Sequence, residues 1–193
     1  ITAFTVMTRI GAGFGAVTLA ANAVLMNFFM IASFYLDGMA TAAEQMTGET
    51  IGARQRSAFE RAVKLTGLWS FGLALASVAF FLIFGSAIIG FITTAGDVRG
   101  VAETYLVYAA LTALTGALAF HMDGVFIGAT WSSDMRNMML VALAGYLASV
   151  AVLVPLFSNH GLWIALNVFL GLRGLLLLAR LKPKTDQTFT DSQ

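Results

Sequence analysis

Five long apolar stretches bounded by clusters of charge dominate this sequence: 16–50, 58–85, 98–129, 134–157 and 160–181, with a partial sixth over 1–12. Each complete stretch has about 20 residues or more, the length at which a helix crosses a bilayer. The chain is therefore read as an all-α, polytopic membrane helix bundle. Composition agrees, because 59% of residues are hydrophobic and 11% charged, whereas a soluble domain is roughly half apolar and about a quarter charged. A water-soluble globule is excluded.

With 11 Lys and Arg against 10 Asp and Glu the formal net charge is +1. No polyanion-binding surface follows from that balance, so the lipid bilayer is an expected partner and nucleic acid is not. Cysteine is absent, and His121 and His160 stand far apart. That removes disulfides, thiol catalysis and thiolate or histidine-rich metal centres, and no cofactor is expected. The membrane lobe occupies 1–182, and residues 183–193 read as a polar, disordered tail. Residue 1 is Ile and the signal-peptide pattern is missing, so the sequence reads as a piece of a longer chain.

Helix starts are expected at a capping box, Ser57-Ala58-Phe59-Glu60, and at the N-cap types Asp97, Ser132 and Asn159. Basic residues orient the spans, since loops rich in Lys and Arg stay in the cytoplasm. Eight lie on one side (Arg54, Arg56, Arg61, Lys64, Arg136, Arg180, Lys182, Lys184) and two, Arg9 and Arg99, on the other, with Arg173 inside the last span. The loop around residue 54 and the C-terminus are thus expected in the cytoplasm.

Functional signal has to come from polar groups inside the spans. By helical rise Asp37 lies about 25 Å from Arg54 and Asp123 about 16 Å from Asp134, both within a hydrocarbon core about 30 Å thick. A carboxylate there costs on the order of 3 kcal/mol and suits a proton or cation carrier. Asp37, Thr41, Glu44 and Gly48 share one helical face, and Tyr105, Thr112, Gly116, Ala119 and Asp123 share another. Such stripes either pack against neighbouring helices or line a wet cavity. Arg173 pairs with an acid, snorkels, or faces water. The candidate coupling or binding residues are Asp123 first, then Asp37 and Glu44, with Tyr105, Thr112 and Arg173.

Other signals are read as structural. Trp131 and Trp163 fit interfacial anchors, His121 fits a packed residue, and Gly11-x-x-x-Gly15 and Gly124-x-x-x-Gly128 fit close helix approach. Gly11-Ala12-Gly13-Phe14-Gly15-Ala16 imitates a dinucleotide fingerprint, but an apolar span follows and no strand precedes it. No His-Glu-x-x-His, Gly-x-Ser-x-Gly or Gly-x-Gly-Asp occurs, so an intramembrane hydrolase is set aside.

Leu36-Asp37-Gly38, Ala42-Ala43-Glu44, Ile51-Gly52-Ala53-Arg54, Asp123-Gly124-Val125-Phe126-Ile127-Gly128-Ala129-Thr130, Asp134-Met135-Arg136-Asn137 and Asn159-His160-Gly161-Leu162-Trp163 follow one another in the chain. In order and spacing, from about residue 16 to 182, they resemble the multidrug and toxic compound extrusion (MATE) family in its DinF-like branch. The resemblance implies one lobe of a two-lobe antiporter of a bacterial inner membrane: the C-terminal six helices, the first of them truncated. Such proteins exchange protons or sodium for organic, often cationic, drugs by alternating access. The proton-coupling acid of this branch lies in the N-terminal lobe, a partner not contained in this sequence, and the sodium-coupled branch carries acids on helices seven and ten. Asp123 falls about a turn from the latter position, so the ion stays open, with protons preferred. The alternative is a noncatalytic membrane assembly or scaffold module.

Overall fold

In a computed structural model, residues 2–190 are described, and among them the regular structure is helix alone. The apolar stretches form α1 (Thr2–Ala12), α2 (Ala16–Gly52), α3 (Arg56–Ile92), α4 (Gly96–Gly128) and a last run, Ser132–Thr190. Unbroken, that run would be about 88 Å long, far beyond a core of about 30 Å. It breaks at Ser158, whose φ of 50° and ψ of −127° are non-helical. Pairs at growing distance from the break then face one another. Gly161 abuts the Leu153 backbone, the Tyr146 and Phe169 rings lie 5.5 Å apart, Gly145 meets Leu172, and Lys184 bonds Asp134 at 3.1 Å. The run is therefore an antiparallel hairpin of α5 (132–157) and α6 (159–190), which completes a six-helix all-α bundle with a short first helix.

Helix directions follow from the same kind of pairing. α4 runs parallel to α2, with Gly124 against Ala40 and Gly128 against Glu44. It also runs parallel to α6, where Tyr105 meets His160, Thr115 meets Asn167 and Asp123 meets Arg173. α3 is antiparallel to α4, with Gly67 against His121 and Gly85 against Leu106. α4 is the axis of the bundle: 67% of its most apolar window is buried, against 17% in α3. α3 turns Leu68, Trp69, Ile83 and Phe91 outward, the surface expected of a helix that faces lipid.

Small residues set the spacing. A Cβ on Gly124 would strike the Ala40 carbonyl, and one on Gly128 the Glu44 carbonyl, so only glycine lets α2 and α4 come this close. Gly11 likewise lies against Asn22. Gly15, the other half of its motif, makes no such contact and instead starts α2 at a φ of 98°, a backbone state that favours glycine.

Helix ends differ from the expected caps. α3 begins at Arg56 after Gln55, without a side-chain cap bond, and Glu60 pairs with Arg56 at 3.0 Å rather than closing a box on Ser57. α4 begins at Gly96 after Ala95, and the Asp97 carboxylate accepts from the neighbouring Val98 N–H at 2.9 Å. Ser132 is already helical, and Asn159 gives its amide to Asn22. The preceding helices supply the order instead. Ile51-Gly52-Ala53-Arg54 and Ile127-Gly128-Ala129-Thr130 both end on a left-handed residue, Arg54 at φ 55° and Thr130 at φ 60°. Gln55 N–H reaches back to Thr50 and Trp131 N–H to Phe126, at 3.0 and 2.9 Å, which closes two Schellman turns of the same design.

Two further expectations are corrected. The tail is helical to Thr190, because it docks: Thr185 is buried, Phe189 stacks 5.8 Å from Phe59, and Arg56 donates to Asp186 at 2.6 Å. Neither tryptophan is an interfacial anchor. Trp131 is buried between Phe59 and Phe126, and Trp163 is fully buried, since both lie on inner faces where their rings fill the bundle.

Candidate functional site

Two buried polar clusters cross the bundle, one towards each end. Near the 13–15 turn, Asn22 and Asn159 exchange amide hydrogen bonds at 2.8 and 3.0 Å, and the Trp163 indole donates to Asn22 Oδ1 at 2.9 Å. One helical turn further along α6, Asn167 donates to the carbonyls of Tyr108 and Trp163, each at 3.1 Å, and accepts from Thr115 at 3.0 Å. Every group in this cluster is neutral, and the amides interlock α2, α4 and α6.

The second cluster is charged. Asp123 on α4 accepts from Arg173 Nε at 3.2 Å, and its other oxygen meets an Arg173 Nη. This is a two-pronged carboxylate–guanidinium pair, the geometry in which such a pair is strongest. Glycines place it. Gly174, next to Arg173, packs on the backbone of Leu118 and Ala119, while Gly124, next to Asp123, packs on Ala40. α4 is thus pinched between α6 and α2 at the level of the pair.

Arg173 also lines an open groove of about 280 Å³ formed by α1, α2, α4 and α6, and Asp37 and Ser33 line the same groove among phenylalanines. Asp37 is exposed there, and among the described residues no salt bridge involves it. Since Ala40 abuts Gly124, Asp37 and Asp123 lie within about 5 Å, one turn, of each other along the bundle axis. The level is nearer one end of the bundle than expected for Asp123: α4 stops at Gly128, about 8 Å away by helical rise.

The remaining candidates are not brought together. Glu44 is half-buried two turns along α2 from Asp37, and its carbonyl faces Gly128. Thr112 is buried and donates to the Ala109 carbonyl of its own helix at 2.6 Å. Tyr105 packs edge-on against His160 at 4.7 Å, about 27 Å from Asp123 by helical rise. The α4 stripe is therefore a packing seam with a charge at one end. His121 is buried against Gly67. Sequence reasoning missed Asn22, Asn167 and Ser33; an Asn within an apolar run is the signal that identifies the first two.

The MatE family model matches residues 1–155. The chain is similar to the DNA damage-inducible protein F of Escherichia coli, at 37% identity over 180 residues, covering 91% of this chain and 38% of that protein. It is also similar to the chloroplastic Protein DETOXIFICATION 44 of Arabidopsis thaliana, at 28% identity over 88% of this chain and 33% of the relative. The probable multidrug resistance protein NorM of Bacillus cereus is 27% identical over 92% of this chain and 40% of its own. The solved structure of the eukaryotic MATE transporter AtDTX14 superposes with a TM-score of 0.74 at 15% identity, over 92% of this chain and 40% of that one. The chain thus spans 33 to 40% of the length of the proteins it matches.

Proposed function

The chain belongs to the MatE family, and we propose that it forms one lobe of a two-lobe secondary antiporter in a bacterial inner membrane, with its C-terminus in the cytoplasm. In this reading the transporter exports organic cations in exchange for protons, or sodium, by alternating access. The observation that carries the reading is the groove holding Asp37 beside Arg173, itself held by buried Asp123. Two acids against one guanidinium leave a site of net charge −1 in an apolar bundle. Such a site attracts a cation strongly where water is scarce. A proton or sodium ion and an organic cation compete for the same carboxylates, and that competition is what exchange requires. The phenylalanines of the groove supply apolar and cation–π contact to a drug-like cation.

The test is dye efflux by the full-length parent in proteoliposomes, driven by a pH or a sodium gradient. Asp123→Asn is expected to lower exchange at least tenfold and, since it leaves Arg173 without its carboxylate, to lower stability as well, so exchange is compared per folded molecule. Wild-type rates with unchanged pH dependence in both Asp123→Asn and Asp37→Asn would make the cluster structural. Absence of exchange by the wild type would favour the scaffold reading. Orientation is tested with Ser57→Cys and Ser158→Cys: an outside-confined probe is expected to label only the second.

A further inference from the structure

At the end of the bundle nearest the charged pair, α3 and α6 both lean on α4 and leave a cleft of about 380 Å³ between them. Its floor is apolar, formed by Phe59, Val63, Leu178 and Leu181, and its rim carries Arg56, Glu60, Lys64 and Lys182. The far end is closed by the Arg56–Asp186 bond at 2.6 Å and by Phe59 against Phe189. Leu178, by contrast, is exposed, so the cleft opens towards the outer surface of the bundle. Arg56 is engaged by Glu60 and Asp186, whereas among the described residues no salt bridge involves Lys64 or Lys182. Both are exposed.

The depth of these lysines is set by the sequence. No charged residue occurs from Leu65 to Ile92 on α3, so Lys64 is the last cation before the hydrocarbon. A lysine near a helix end has a stem long enough to carry its ammonium to the headgroup level. We infer that this cleft binds an anionic phospholipid of the cytoplasmic leaflet, its phosphate between Lys64 and Lys182 and one acyl chain along Val63, Leu178 and Leu181. Charge complementarity selects the anion, and the apolar floor selects a lipid over free phosphate. The choice of leaflet rests on the orientation proposed above, but the inference does not rest on the transport reading, since it uses neither Asp37, Asp123 nor Arg173.

The experiment uses the full-length parent in mixed micelles holding phosphatidylglycerol and phosphatidylcholine in equal amounts, with retained lipid measured by mass spectrometry. Lys64→Gln combined with Lys182→Gln is expected to lower the phosphatidylglycerol preference about thirtyfold, each lysine near an anionic surface contributing about fivefold. Leu178→Trp, which obstructs the apolar wall and leaves the charges in place, is expected to reduce retention of either lipid. Arg136→Gln, a cation at the same end outside the cleft, is expected to change nothing. An unchanged preference in the double variant, with an unchanged melting temperature, would overturn the proposal. Displacement of the retained lipid by millimolar inorganic phosphate would overturn it in favour of a free-anion site.

Discussion

The two buried polar clusters stand on the same three helices yet differ in kind. The Asn22–Asn159–Trp163 cluster is neutral and internally satisfied, with Asn167 and Thr115 beside it. The Asp123–Arg173 pair is charged, and its guanidinium also borders a groove in which Asp37 is left over. A satisfied amide cluster has one arrangement and fixes helix register. A charged pair bordering a groove that holds a further carboxylate is, on the proposed reading, able to rearrange, which a carrier needs and a joint does not. Variants at the two sites are therefore expected to separate stability from transport.

The largest effect is expected from Arg173→Ala in the full-length parent. It leaves Asp123 without its cation, and breaking a buried pair from one side costs about 3–5 kcal/mol. Melting temperature and exchange should both collapse, and Asp123→Asn in the same molecule should restore the melting temperature without restoring exchange. A double variant no more stable than Arg173→Ala would show that the guanidinium, rather than the abandoned carboxylate, determines the loss.

Asn22→Leu comes next. It removes the bonds to Asn159 and Trp163 and leaves their polar groups facing a side chain of similar size. Interhelical hydrogen bonds in membranes contribute about 0.6 kcal/mol on average and up to about 1.7, so a loss of about 2 kcal/mol is expected for the cluster. Exchange per folded molecule should stay within twofold of wild type. A tenfold fall at preserved stability would move function to this end and erase the contrast.

Asp37→Asn is expected to do the reverse. The side chain is exposed in the groove and forms no salt bridge among the described residues, so stability should change by less than about 0.5 kcal/mol. Dye–proton exchange should drop several-fold. Exchange within twofold of wild type would leave the exposed carboxylate of the groove without a part in transport.

How far this was readable from sequence depends on the kind of information each residue carries. Apolar length and the spacing of charge are local properties, and they pointed to a bundle of membrane-length helices. Asp123 and Arg173 stood out because any charge inside an apolar run is costly. Their partnership was one of three readings of Arg173 and needed the third dimension, since it depends on Gly174 bringing α6 onto α4. Trp131 and Trp163 misled for a related reason. A tryptophan near the end of an apolar run looks the same whether it faces lipid or a neighbouring helix, and here Phe59 and Asn22 claim the rings. The tail misled because its composition is mostly polar, while docking depends on a few groups, Thr185, Asp186 and Phe189, meeting α3 and its surroundings.

The smallest effect is expected at Thr112, where the comparison is sharpest because sequence alone ranked it among the candidates. On α4 it shares the face of Asp123 but lies between Tyr108 and Thr115, at the level of the neutral cluster. A hydroxyl at that place serves transport only if it reaches a neighbour or the groove. Its hydrogen bond goes to Ala109, three residues back on the same helix, at 2.6 Å, and the side chain is 1% exposed. A Thr that bonds its own helix backbone satisfies itself and contributes little to contacts between helices. Valine has nearly the same shape and leaves the Ala109 carbonyl with its helical partner, so Thr112→Val should change stability by less than about 0.5 kcal/mol and exchange not at all. A severalfold loss of exchange at unchanged stability would mean that Thr112 turns away from Ala109 during the cycle. The neutral end would then be part of the pathway, and the division between a fixed neutral end and a working charged end would fail.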